Sequence, residues 1–169
     1  MAAVPPPGLK ISRGGPPPGY RPCVGLMLLN AAGLLFIGER RGPLLDAWQM
    51  PQGGIDPDEG AGAAARRELR EEVGTDRAEQ LRESRFWYAY DLPPELAPPD
   101  WGGRYRGQSQ KWFAFRLIGT DADIDLTAHE PEFVRWRWAR PDEVLRLVVD
   151  FKRPVYQAVL EEFGDLLAA

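Results

Sequence analysis

The stretch that decides the fold runs Gly53-Gly54-Ile55-Asp56-Pro57-Asp58-Glu59-Gly60 and resumes, six residues on, as Arg67-Glu68-Leu69-Arg70-Glu71-Glu72-Val73-Gly74-Thr75. Ala61–Val73 reads as one helix, because its Ala, Arg, Glu and Leu residues are all good helix formers. Asp56, Asp58 and Glu59 precede it, where negative charge suits a helix N-terminus, and Gly74 follows, able to take the left-handed closing conformation. In such a helix Glu68, Glu71 and Glu72 stand at i, i+3 and i+4 and share one face. Like charges at this spacing repel by roughly a few tenths of a kcal/mol per pair. They also crowd the helix end at which the macrodipole disfavours negative charge. Local stability therefore gives no reason for the cluster. A divalent cation removes both penalties, and three oxygen donors on one rigid face suit Mg²⁺. Taken alone, the same pattern also fits a solvated acidic face balanced by Arg66, Arg67 and Arg70.

Working outward, Val24–Leu29 reads as a buried strand and Leu34–Ile37 as its hairpin partner, joined by the turn Asn30-Ala31-Ala32-Gly33. Trp48-Gln49-Met50-Pro51 is a short extended piece entering Gly53-Gly54, with Trp48 a core or pocket-wall residue. Phe86–Leu92 and Lys111–Leu117 are aromatic-rich strand candidates. The Pro/Gly loop between them, Pro93 to Gly107, is long enough for a functional flap, and equally fits a plain mobile loop. Phe133–Trp138 reads as another strand. Pro154–Leu167 reads as a helix, with Val155, Val159 and Phe163 at helical spacing. Residues 1–18, dense in Pro and Gly, read as a disordered or extended leader whose deletion leaves stability and turnover nearly unchanged. Residues 19–169 then form a single domain of α+β class.

Composition narrows the chemistry. The chain has 169 residues, 44% of them hydrophobic, enough for one sizeable core. Cys23 is the only cysteine and His129 the only histidine. These counts exclude an intramolecular disulfide and a Cys–His nucleophile pair, and leave almost no basis for a His/Cys zinc cluster. Acid–base and metal chemistry falls largely to the 25 carboxylates, whose oxygens favour hard cations. A net charge of −4 argues against bulk, non-specific nucleic-acid binding while leaving room for a local basic pocket. The longest apolar run, Val24–Leu29, is too short to span a bilayer, and no secretory signal opens the chain, so a cytoplasmic location is expected.

The opening stretch resembles the Nudix box, G-x5-E-x7-R-E-U-x-E-E-x-G-U, in which U is a bulky aliphatic residue. Gly53, Glu59, Arg67, Glu68, Leu69, Glu71, Glu72 and Gly74 fill its positions, and Thr75 departs from the last. The resemblance implies an α/β/α sandwich around a mixed β-sheet and hydrolysis of a nucleoside diphosphate linked to another group. It implies Glu68, Glu71 and Glu72 as catalytic metal ligands for Mg²⁺, with Mn²⁺ as substitute, and Glu72 as general base. Glu59 and Arg67 become a structural ion pair holding loop to helix, and Gly53 and Gly74 structural positions.

Further segments are similar to one subgroup of that family, the bacterial RNA 5′-pyrophosphohydrolases and plant-type asymmetric diadenosine tetraphosphate hydrolases. They are Gly19-Tyr20-Arg21-Pro22, Trp48-Gln49-Met50-Pro51-Gln52-Gly53-Gly54, Gln110-Lys111-Trp112-Phe113, Pro131-Glu132-Phe133 and Phe151-Lys152-Arg153. The resemblance adds Glu132 to the metal site from a loop opposite the box helix. A triphosphate carries more charge than one metal cluster neutralises, so Arg21, Arg40, Lys111 and Lys152 are candidates for the other phosphate contacts. Phe151 beside Lys152 suits a base that stacks while its phosphates are held, and Tyr90 can line the same pocket. The reading implied is conversion of 5′-triphosphorylated RNA to 5′-monophosphorylated RNA with release of pyrophosphate. The alternatives are cleavage of diadenosine tetraphosphate to ATP and AMP, and a catalytically inert nucleotide sensor. A monomer is expected, because no exposed apolar seam is evident.

Overall fold

The computed structural model describes residues 7–42 and 47–168, and residues 1–6 of the expected leader lie outside them. Eight strands and three helices follow in order: β1 Leu9–Ser12, β2 Tyr20–Leu29, β3 Leu35–Arg40, β4 Trp48–Gln49, β5 Gln52–Gly54, α1 Ala61–Glu68, β6 Ala78–Asp91, β7 Gly107–Leu117, β8 Phe133–Ala139, α2 Pro141–Leu147 and α3 Arg153–Glu162. The strands make one mixed sheet ordered β1-β6-β7-β2-β3-β4, with β5 paired to β2 and β8 to β3. Its central pair, β2 and β7, is parallel, in register from Tyr20 opposite Gly107 to Leu29 opposite Arg116. Among the described strands the other pairings are antiparallel.

The apolar run of β2 reflects burial on both faces. Val24, Leu26 and Leu28 join Phe113 and Phe115 of β7 beneath Ala64, Ala65, Leu69 and Val73 on the helical stretch. Met27 and Leu29 point the other way, into a layer with Tyr90, Trp112 and the α3 residues Val155, Tyr156 and Val159. The alternation of strand side chains thus builds two cores and an α/β/α sandwich. Among the described residues no helix is long and apolar enough to cross a membrane.

Three differences from the sequence reading have physical causes. Leu9–Ser12, inside the expected disordered leader, is a strand, because β6 offers an open edge and Leu9 is buried there. Four residues framed by Pro and Gly carry no periodicity of their own. Strand β6 starts eight residues before Phe86, at Ala78; two register shifts, between Gln80 and Arg82 and between Glu83 and Trp87, break its alternation. The helix expected to run unbroken to Val73 becomes a π-helical turn over Leu69–Val73.

Candidate active site

The π-turn carries the acidic cluster. The Gly74 N–H reaches back five residues to the Leu69 carbonyl at 3.2 Å, so the turn widens just where Glu71 and Glu72 sit. Gly74 closes it at φ 82°, and a Cβ there would lie 1.9 Å from the Asp125 carbonyl oxygen, so glycine is required twice over. Glu68 and Glu72 are buried, while the Glu71 side chain is 40% exposed.

Strand β5 meets this helix face without side chains in the way. A Cβ at Gly53 would fall 2.0 Å from the Glu68 carboxyl carbon, so only glycine admits that carboxylate. One residue earlier the Gln52 N–H donates to Glu72 Oε2 at 3.3 Å. Arg67 ties loop to helix: Nε and Nη2 donate to the two Glu59 oxygens at 2.8 Å each, and Nη2 also donates to the Gly54 carbonyl at 2.8 Å. Its Nη1 donates to Glu68 Oε1 at 2.8 Å and to Glu71 Oε2 at 3.2 Å. The Glu59 carboxyl is held down at about 2 chiefly by its bond from Arg67.

Glu68 and Glu72 are shifted the opposite way. Burial pushes Glu68 up to about 7, against the pull of Arg67. Burial, then the charges of Glu68 and Glu132, push Glu72 well above the usual carboxylate range. Crowded carboxylates of this kind suit a divalent cation. Among the described residues the carboxylates do not converge into a ready-made three-ligand cage, two of them giving an oxygen to Arg67. The donor set is nonetheless all hard oxygen, and its charge exceeds what Arg67 neutralises, so the residues fit a divalent ion.

These groups open into a cavity of about 690 Å³. Glu68, Glu71, Glu72 and Glu132 line it together with the cations Arg21, Arg40 and Lys152 and the aromatic rings of Tyr90 and Phe151. Lys152 is buried, its Nζ donating to Gln49 Oε1 at 2.9 Å and Gln52 Oε1 at 3.1 Å. Burial, with the Arg40 charge nearby, lowers the Lys152 amine to about 7. The Gln52 amide bridges to Gln108 at 3.1 Å, and the Tyr90 hydroxyl donates to the same Gln108 oxygen at 2.6 Å. The Phe151 and Tyr90 rings lie 6.0 Å apart at 33°.

Of the residues singled out in the sequence, Lys111 is not in this wall. On β7 it alternates with Gln108 and Gln110, whose side chains join the Gln52 network, and so faces the opposite side of the sheet. The wall also contains Arg41, His129 and Glu130, and Trp101, Leu96 and Pro98 from the 93–107 loop. Loop length alone hinted at the last three. His129 and Glu130 lay within three residues of Glu132, the one signal available for them. Cys23 is buried, its thiol pushed up to about 12 by that burial, and is chemically quiet.

Comparison with known proteins agrees with this geometry. The model of the NUDIX domain family matches residues 19–159. An RNA pyrophosphohydrolase of Rickettsia africae is 49% identical over 148 residues, 88% of this chain and 92% of the relative. One from Rickettsia typhi is 47% identical over the same shares. Among solved structures, an Escherichia coli dihydroneopterin triphosphate pyrophosphohydrolase superposes with a TM-score of 0.62 at 18% identity, covering 86% of this chain and 98% of its own. A C. elegans Ap4A hydrolase does so at 0.60 and 19%, covering 85% and 98%. These two likenesses concern the fold.

Proposed function

This chain belongs to the NUDIX family of hydrolases, and on that premise we propose that it removes pyrophosphate from the 5′-triphosphate end of RNA, a step of mRNA decay in the cytoplasm, with residues 19–169 as its catalytic domain. The observation that carries the reading is one cavity in which five glutamates meet four cations and three aromatic side chains. The relatives named RNA pyrophosphohydrolase, at nearly half identity over most of both chains, support the substrate.

Glu68, Glu71, Glu72 and Glu132 would hold Mg²⁺, or Mn²⁺ in its place, which when bound neutralises phosphate charge and acidifies water. Glu72 takes the proton of the attacking water on its carboxylate; its Oε2 is oriented by the Gln52 N–H. Oxygen attack forms the new bond at the β-phosphorus and breaks the bridge to the α-phosphate, leaving a 5′-monophosphate and pyrophosphate. Arg21, Arg40 and Lys152 hold the phosphates, and the Phe151 ring stacks on a base with Tyr90 beside it.

Cleavage of diadenosine tetraphosphate to ATP and AMP uses the same groups. A catalytically inert nucleotide sensor has no need of an acidic cluster this costly. The purified protein, offered triphosphorylated RNA and diadenosine tetraphosphate with Mg²⁺, is expected to show the higher kcat/KM on RNA. A tenfold preference for the dinucleotide would replace the substrate, and no turnover of either would replace the reading.

A further inference from the structure

The family match begins at residue 19, yet the sheet begins at Leu9. Strand β1 therefore lies outside the matched stretch, and it is laid against the strand that ends at the cavity. Leu9 stands opposite Tyr90 in the β1–β6 register, so their side chains share a face. Leu9 is 6% exposed and sits in the apolar layer that contains Tyr90, with Phe151 packed against that layer. Ile11, two residues on, is 44% exposed, so Leu9 is the anchor of the pairing.

Phe151 has a second neighbour. Besides the main cavity it lines a smaller one of about 310 Å³, bounded by Pro7, Gly8, Leu9 and Lys10 on one side and Asp91, Asp150 and Pro154 on the other. Lys10 lies 5.2 Å over the Tyr20 ring, and the Tyr20 hydroxyl donates to Asp91. Arg106 pairs with Asp91 at 2.8 Å, and its N–H reaches the Gly19 carbonyl at 2.9 Å. The stem of the 93–107 loop closes on the same node, with the Leu92 N–H on the Arg106 carbonyl at 3.0 Å.

We propose that the N-terminal extension is part of the substrate site, with Leu9 a positioning residue that fixes Tyr90 and, through it, the face Phe151 presents to the nucleotide. The proposal rests on the reading that Tyr90 and Phe151 contact substrate. Without β1, the end of β6 loses its outer partner and the two rings lose the apolar side chain behind them. Glu68, Glu71 and Glu72, held by Arg67 and the Gln52 N–H, keep those contacts.

The test compares Leu9→Ala, Leu9→Ile, Ile11→Ala and a chain lacking residues 2–13, using triphosphorylated RNA. Leu9→Ala and the truncation should raise KM about fivefold or more, since small misplacements of binding groups are costly, and change kcat less than about twofold. Mn²⁺ affinity should stay constant, Leu9→Ile should restore KM, and Ile11→Ala should match wild type. An unchanged KM in Leu9→Ala overturns the proposal, as does a fall in kcat at constant KM that follows the melting temperature. If the truncated chain does not fold, Leu9→Ala and Leu9→Ile decide alone. Wild type that hydrolyses neither RNA nor diadenosine tetraphosphate defeats the functional reading instead. The extension is then judged by the Kd for ATP with Mn²⁺, and a Kd equal to wild type in Leu9→Ala overturns its role.

Discussion

Stripped of metal, this protein should lose stability as the pH rises from 5 to 7, which is unusual for an acidic protein with many ion pairs. Glu68 has a folded value of about 7 against 4.5 when unconstrained. A carboxyl raised in this way binds its proton more tightly folded than unfolded, so it favours the fold at low pH and loses that advantage up to the folded value. Between pH 5 and pH 7 the loss is roughly 2 kcal/mol from Glu68 alone, and Glu72 is displaced in the same direction. For a domain of this size that corresponds to about 4–8 °C in melting temperature. Two opposing groups fall outside the window. Glu59, held at about 2, supports the fold above 4.5 and gives way only as pH falls below that. Lys152, lowered from 10.5 to about 7, gains stability for the fold as pH rises above 7, so the scan stops there. The assay is calorimetric melting in EDTA at pH 5, 6 and 7, with the Glu68→Gln, Glu72→Gln double variant beside it. Melting should fall with pH in the wild type and stay level in the variant, and excess Mg²⁺ should restore the wild type most at pH 7. A wild-type melting temperature that is flat or rising in EDTA, or a double variant with the same slope, would refute the reasoning.

Other outcomes follow from the same geometry. Glu72→Gln should lower kcat by about two to four orders of magnitude, the scale of a lost general base, and still fold; normal turnover in single-turnover assays would remove Glu72 from the chemistry. Phe151→Ala should weaken RNA binding by roughly 1–3 kcal/mol if the ring stacks on a base, read as a Kd from fluorescence anisotropy; a variant that melts early yet binds normally would make Phe151 a mere anchor of α3. Lys152→Met should, at pH 6 where the amine carries its charge, make the salt dependence of RNA affinity shallower by about one charge in a titration from 50 to 200 mM KCl, and an unaltered slope would take Lys152 off the phosphates.

What the sequence showed and what it hid divide along physical lines. The strands Val24–Leu29 and Phe133–Trp138 were legible because apolar content and aromatic alternation are local properties. The box was legible because Gly53, Glu59, Arg67 and the glutamates act at fixed spacing along the chain. Strand β1 was not, since Leu9 earns its place only through β6, which lies some eighty residues away. The π-turn was hidden too, because nothing in Leu69-Arg70-Glu71-Glu72-Val73 distinguishes a hydrogen bond that spans five residues from one that spans four. The part of Gln49, Gln52 and Gln108 as a chain of amides between Lys152 and Tyr90 was hidden for the same reason, because it depends on three strands meeting. The place of Lys111 outside the cavity wall was hidden as well, because a cation next to a matching segment says nothing about which side of β7 it occupies.

The parallel pairing of β2 with β7 has a consequence for synthesis. Tyr20 waits for Gly107, about 87 residues downstream, before the middle of the sheet can exist. At the usual pace of translation that is roughly 4–17 s during which Val24–Leu29 is made without its neighbour. The earlier partners β3 and β5 can cover one side of it, but closing the sheet is a long-range event that neither half of the chain can complete alone. A nascent chain stalled before residue 107 therefore exposes one of the most apolar segments in the protein, and the ribosome-bound half is a natural client for chaperones.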